Sequence, residues 1–221
     1  PTLRSLRHAD GALARFHGGG RGMEGRLDHA LAASGVKAVP GTGPAMGFLR
    51  LSGGRTTLIV DAADPPAGRA GTSAHASTLA IEMTSGRRPV IVSCGSGAPF
   101  GAEWHRAGRA TPSHSTLSVE GYSSSRLNRG APEILADRSH VKKSQPSETA
   151  EGHILRLTQD GWVATHGLHH SRLLILSQDG RHLGGQDELR AITPDDRTRL
   201  AAVMARGQTD QVRFAIRFHL H

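Results

Sequence analysis

One cysteine, Cys94, and an aromatic content of 4% are what the 221-residue sequence has least of. A single thiol excludes an internal disulfide and any thiol-rich metal site, and says nothing decisive about compartment. The few rings give no series of stacking side chains of the kind that single-strand nucleic-acid binders use, so nucleic acid is not an expected partner. No apolar run approaches the roughly 20 residues that cross a bilayer, and the opening "PTLRSLRHAD" has no hydrophobic signal core. A soluble protein is expected, with periplasm and cytoplasm left open. The chain starts on proline and stops at "RFAIRFHLH" inside an alternating pattern, so both ends read as cut from a longer protein.

Charge of one sign is also short. Lys and Arg total 27 against 19 Asp and Glu, a net +8, and 14 histidines can add to it as pH falls. Such a surface attracts polyanions, whether nucleic acid, anionic lipid headgroups or acidic polysaccharide, and sign alone does not separate them. The length suits one domain, residues 1–221, with a substantial core.

What is present is a succession of short alternating runs punctuated by glycine. "AMGFLRL" and "RTTLIVDA" flank "SGG", a hairpin signature, and "HASTLAIEM" and "RRPVIVSC" flank "TSG" in the same way. "HSTLSVEG", "HILRLTQDGWVATH", "SRLLILSQDGRHLGGQDEL" and "VRFAIRFHLH" follow. The turn chemistry of Ser85-Gly86, Gln159-Asp160-Gly161 and Gln178-Asp179-Gly180 predicts tight antiparallel connections. The fold class is therefore mostly β, an antiparallel β-sandwich. Two short helices are inserted, near residues 22–34 and 194–206. The first has Leu27, Ala30, Leu31 and Ser34 at helical spacing before Gly35, and the second has Thr193 as N-cap with Pro194 at its first position. The polar stretch "DRSHVKKSQPSETAEG" has little to bury and reads as a mobile loop.

Histidines carry the chemical interest. His75 opens a run in which Ser77, Leu79, Ile81 and Met83 share its parity, and His114 opens a second run with Thr116 and Ser118. For an isolated histidine at such a place the structural reading is a buried ring satisfied by a carbonyl. Two strands that each begin with a histidine and meet in a sheet make a pair suited to zinc.

Together, "HASTLAIEMTSGRRPVIVSCGSG", "SHSTLSVEGYSSSRL", "HHSRLLILSQDGRHLGGQDEL" and "RFHLH", in that order, resemble the C-terminal domain of the heparinase II/III family of polysaccharide lyases. The resemblance runs from "LRHADGALARFHGG" to the end. It implies a β-sandwich that follows a helical toroid in the full-length enzyme, acting by β-elimination on uronate-containing acidic polysaccharides in a cleft between the two domains. That chemistry needs the uronate carboxylate neutralised, a base for the C5 proton and an acid for the leaving oxygen. The neutralising Asn and the Tyr belong to the toroid, so this chain holds half a site and is expected to be inactive alone. The implied partners are acidic polysaccharide and the chain's own N-terminal helical domain. A non-catalytic polyanion-binding or structural domain that keeps the fold is the alternative.

The resemblance transfers residue by residue only in part. His75 and His114 fall on two positions that hold a structural zinc in metal-containing members, and zinc is the one cofactor it suggests. Ser93 stands where the family has the aspartate ligand, and Ser73 where it has a catalytic histidine, so no catalytic residue is assigned. Expected substrate-binding residues are His75, His114 and Arg172, the last through the sandwich's polar network. His166, His169 and His170 read equally as hydrogen-bonded strand ends or as functional groups, and His219 and His221 as an edge pair that could bind a metal but has a structural character. "FHGGGRG", with Arg21, lacks the following Lys-Ser/Thr of a phosphate loop and reads as a bend that lets backbone approach the cleft or partner domain. "HVKK" and "GRR" read as solvated charge, with polyanion contact as the sharper alternative.

Overall fold

The computed structural model describes residues 2–19, 22–36, 44–128, 133–143 and 146–221. Arg21 lies outside them. One antiparallel sheet is built from β1 (Phe48–Gly53), β2 (Thr56–Asp61), β3 (Ile81–Ser85) and β4 (Arg88–Val92), in that order, with the C-terminal strand His219–Leu220 added beside β4. Further along the chain come β5 (Leu117–Val119), β6 (Arg126–Leu127), β7 (Leu135–Asp137), β8 (Val141–Lys143), β9 (Ser147–Glu148), β10 (Gly152–Trp162), β11 (Leu168–Ser177) and β12 (Leu183–Arg190). The second sheet has the order β12, β11, β10, β8, with β9 also pairing with β10. β13 (Phe214–Ile216) pairs with β5, β6 with β7, and His219–Leu220 is β14.

Alternation explains how the sheets meet. Leu49 and Leu51 of β1, Leu58 and Val60 of β2, Ile81 of β3 and Ile91 of β4 form one buried cluster with Leu155 and Leu157 of β10 and Leu174 and Leu176 of β11. On β1, β2, β10 and β11 the two cluster residues are two positions apart, which places both on the inward face. β2 is buried on both faces, because Ile59 packs outward against Phe16 and Ala80, with Phe48 beside them. The N-terminal segment is thereby part of the fold. Glu82 of β3 fastens it, accepting from the backbone N–H of Arg15 at 2.9 Å and meeting Nε2 of His8 at 3.0 Å.

At one end the two sheets touch through their main chains. The Thr56 hydroxyl donates to the carbonyl of Gly180 at 2.7 Å, and a Cβ added at Gly180 would lie 1.8 Å from the carbonyl oxygen of Gly53. The β1–β2 and β11–β12 hairpin tips thus stack backbone against backbone, with the Thr56 side chain beside them.

The mostly β, antiparallel expectation holds, and both expected helices are present. They are α2 (Arg26–Ala33), after the single turn α1 (Thr2–Ser5), and α5 (Pro194–Gly207), whose Thr193 and Asp196 form a reciprocal capping box. Two more helices are present, α3 (Ala102–Gly108) and α4 (Val163–His166), so the insertions exceed two. Gln159-Asp160-Gly161 is a correction as well. β10 runs through it with a bulge, and the chain reverses later, through α4 and Gly167. A Cβ at Gly161 would lie 2.2 Å from the Ser124 carbonyl, so this glycine serves close packing. The described part of the polar stretch expected to be mobile is anchored too. Ser139 is fully buried and bonds Thr78 at 2.7 Å, and β7, β8 and β9 form around it.

Candidate functional site

His75 does not begin a strand. β3 starts at Ile81, and the chain from Gly71 to Ala80 is a compact loop that turns on Leu79, whose φ is +63°. A leucine in the left-handed region needs outside support. The Leu79 N–H donates to the Asp61 carbonyl at 2.9 Å, and its own carbonyl accepts from Nη1 of Arg172 at 2.8 Å. His114 likewise precedes its strand, in extended conformation after the 3-10 turn Thr111–Ser113, with β5 starting at Leu117. The parity argument therefore fails for both residues, yet both rings are brought inside.

They meet there. Nδ1 of His75 lies 3.2 Å from Nε2 of His114, with ring centroids 5.2 Å apart at a tilt of 65°, and both residues are buried. Burial is the main reason that the His75 imidazolium is disfavoured, its pKa falling to about 3, with the neighbouring His17 second. Burial, then His75, pushes His114 well below the ordinary value. Two neutral rings suit one another, since a hydrogen bond between imidazoles needs one nitrogen bare.

Ser93 lies on the segment that runs beside His114. Cys94 donates to the Ser113 carbonyl at 3.0 Å, and the Ser115 hydroxyl to the Val92 carbonyl at 2.9 Å. Ser93 Oγ and His114 Nδ1 are both buried without a partner among the described residues.

A third ring closes the cluster from outside. His17 sits 6.4 Å from His75 between ring centroids, its Nδ1 accepts from the His75 backbone N–H at 3.1 Å, and its Nε2 is 4.0 Å from the Asp61 carboxylate. Asp61 also accepts from Ser77 at 2.6 Å. The glycine bend after His17 packs on the ring of His75: a Cβ at Gly18, whose φ is +79°, would lie 2.7 Å from His75 Nε2. That stretch had been read as a bend toward a cleft or partner domain, and the described part of it covers the histidine pair. Sequence reasoning overlooked His17, although its place beside three glycines was a usable signal.

Two buried arginines hold these loops. Arg109 donates to the carbonyls of Ala74, Gly71 and Glu133 at 2.9, 2.9 and 3.1 Å, and fixes the loop that displays exposed Ser73. Arg172 lies on the inward face of β11, in line with Leu174 and Leu176. It grips both oxygens of Asp187 at 2.7 and 2.9 Å, and reaches the carbonyls of Leu79 and Ser115 at 2.8 and 3.1 Å. Its side chain is 2% exposed. Arg172 was expected among substrate-binding residues; the structure places it under the histidine loops as a brace. Hydrogen bonds from His170 and Arg172 hold the Asp187 carboxylate at a pKa of about 2, against the opposing effect of burial.

The donor set does not fit zinc. Two imidazoles bond each other, the third position is a neutral hydroxyl, and no group of three His, Cys, Asp or Glu suited to a metal exists among the described residues. Structural zinc takes four ligands, drawn from Cys, His and carboxylates. The metal role expected for His75 and His114 is thus unsupported by the residues around them.

Four further histidines are engaged in the fold. His170 bonds Asp187 at 2.6 Å, His169 meets the capping Asp196 at 3.3 Å, and His166 packs edge-on against Tyr122. His219 donates from Nε2 to the Pro112 carbonyl at 2.9 Å. No helix among the described residues is long and apolar enough to cross a membrane.

Comparison with known proteins adds a lineage to this geometry. Residues 37–221 match the family described as heparinase II/III-like, C-terminal. FtsZ-localized protein C of Caulobacter vibrioides is 31% identical over 220 residues, which are 96% of this chain and 36% of that protein. A heparinase III structure superposes with a TM-score of 0.62 at 16% identity, over 84% of this chain and 30% of that one. Heparan sulfate lyase HepC from Pedobacter heparinus gives 0.55 at 15% identity, over 80% and 29%. At such identities the likeness to the two lyases is one of fold. The chain spans about a third of the length of each of these proteins.

Proposed function

This chain belongs to the heparinase II/III-like family through its C-terminal domain, and from that premise we propose that residues 1–221 form one domain that binds uronate-containing acidic polysaccharide. In the longer protein it works beside an N-terminal helical domain, and it leaves the base and acid of β-elimination to that partner. The observation that carries the reading is at Ser73. It is exposed on a loop clamped by Arg109, where the family resemblance puts a catalytic imidazole, and a neutral serine hydroxyl lacks both the basic nitrogen that would take up the C5 proton and the positive charge that would neutralise a carboxylate. The imidazole of His75, two residues on, and that of its partner His114 are buried, uncharged and spent on each other. What this part supplies is a positively charged, rigid wall.

A second reading is favoured by the relative named for its localisation with FtsZ. In it the domain is a scaffold that keeps the fold and has given up the chemistry. One experiment separates the two. The full-length protein is incubated with a panel of uronate polymers, binding is followed by affinity electrophoresis, and cleavage by the ultraviolet absorbance of the unsaturated product. Binding with cleavage supports the first reading and binding without cleavage the second. Absence of binding to every polymer removes the first reading and leaves the second, as a scaffold that has given up the ligand too.

A further inference from the structure

Three hairpin turns repeat one short motif: Gly54-Arg55, Gly86-Arg87-Arg88 and Gly180-Arg181-His182. Each glycine has a left-handed φ, of +49°, +55° and +68°, so each turn needs glycine at that place, and each puts an arginine next. The topology gathers the three turns. β1–β2 and β3–β4 reverse at the same end of their sheet, where Gly86 N–H donates to the Arg55 carbonyl at 2.7 Å. The β11–β12 turn is stacked on the β1–β2 turn through Gly180 and Gly53. Neighbouring hairpins in a sheet lie about 10 Å apart, as do facing sheets.

Arg55, Arg88, Arg181 and His182 are all exposed at this end. Arg55 and Arg181 flank an open cavity of about 870 Å³ floored by Met83, Val90 and Leu183. Arg88 shares the face of β4 that carries Val90. Arg87 turns away, into a cavity with Asp10, Glu24 and Asp28. Among the described residues no carboxylate lies within salt-bridge distance of Arg55 or Arg88, and Arg181 has only Asp179, at 3.9 Å and itself exposed. The histidine cluster lies at the other end of β3, a strand five residues long.

We propose that the three arginine-bearing hairpin tips form a second docking surface for a linear anionic glycan, separate from the histidine end, where Arg55, Arg88 and Arg181 each meet a sulfate or carboxylate on successive sugars. Guanidinium groups match such oxyanions in geometry as well as charge. A membrane surface fits less well, because none of the large exposed hydrophobic side chains lies on these turns. The surface rests on the reading of the protein as a glycan binder and says where a bound chain would lie.

The test uses the full-length protein with heparin and with polygalacturonate, by titration calorimetry at low and physiological salt. The triple variant Arg55→Gln, Arg88→Gln, Arg181→Gln is compared with a control that removes the same charge from α5, Arg197→Gln, Arg199→Gln, Arg206→Gln. The expected result is affinity about tenfold weaker in the hairpin variant, with a shallower salt dependence, and near-parental affinity in the control. Equal losses in both variants would reduce the effect to net charge and overturn the surface. Binding by the parent that the hairpin variant retains would overturn the surface and leave glycan binding standing, whereas a parent that binds neither polymer would end both. A hairpin variant that loses only binding to phosphatidylglycerol vesicles would also overturn it.

Discussion

Nδ1 of His75 and Nε2 of His114 lie 3.2 Å apart across 39 residues of sequence, and each ring has become the other's main polar partner. Removing either ring leaves a buried nitrogen facing a hole. His75→Ala and His114→Ala should each cost about 1–3 kcal/mol. The double variant should cost less than the sum, because the second deletion has no partner left to orphan. Urea titration of the two singles and the double measures this, and strict additivity would contradict the pairing.

Acid should weaken the fold in two windows. His75, His114, His166 and His170 are all held below the ordinary histidine value, chiefly by burial. The unfolded chain therefore takes up protons that the native state refuses once pH drops below about 6.5. The stability these neutral rings allow is fully present above that pH and is lost progressively as pH falls toward about 3, the native value of His75. Asp187, whose pKa is lowered to about 2, contributes stability present above the ordinary carboxylate range and lost as pH falls through that value. Unfolding free energies measured from pH 7.5 downward should begin to fall near pH 6.5; a flat profile to pH 4 would contradict the assignment.

Arg172→Met should cost about 3–5 kcal/mol, since it strands the Asp187 carboxylate and frees the Leu79 and Ser115 carbonyls together. Arg172→Met with Asp187→Leu should recover part of that. Lysine cannot reproduce four directed bonds, so Arg172→Lys should resemble the methionine variant more than the parent. Thermal denaturation ranks the three.

Gly18→Ala combines a left-handed φ with a Cβ 2.7 Å from the His75 ring, whereas Gly22→Ala has a similar φ, +68°, and open space. The first should destabilise clearly more than the second, which reports backbone strain alone at about 1 kcal/mol. Matching losses would mean that the bend does not press on the histidine.

Chelation should leave the melting temperature unchanged, because two imidazoles and a serine hydroxyl do not make a tight zinc site. Dialysis against EDTA followed by calorimetry checks this, and a drop of several degrees would show that a metal had been holding the loops.

Much of the fold was legible because alternation, turn glycines and helix caps are local. The hairpins about Gly54 and Gly86, the cap at Thr193 and the end of α2 before Gly35 all appear where those signals stand. What misled was a pattern that imitates a strand. His75, Ser77 and Leu79 alternate as β residues do, but the left-handed turn at Leu79 is imposed by Arg172, 93 residues away, and no local signal reports it. The inward parity of Arg172 with Leu174 and Leu176 was visible, yet the run reads as polar until Asp187 is known to lie opposite. α3 went unseen because it is a seven-residue helix lying between Gly101 and Arg109, without an apolar stripe. The meeting of His75 and His114 came through even though neither begins a strand, since Arg172 ties their two loops together at Leu79 and Ser115.

The stacking of the Gly53 and Gly180 backbones has a consequence for descent. The gap between these two hairpin tips is set by main chain and the Thr56 hydroxyl, and the arginines that follow Gly54 and Gly180 are exposed beside it. Lineages can therefore exchange arginine there for acid, amide or aromatic, and so change what the surface attracts, while the distance between the tips stays fixed. Insertion or deletion in either turn is the kind of change this end of the molecule should resist.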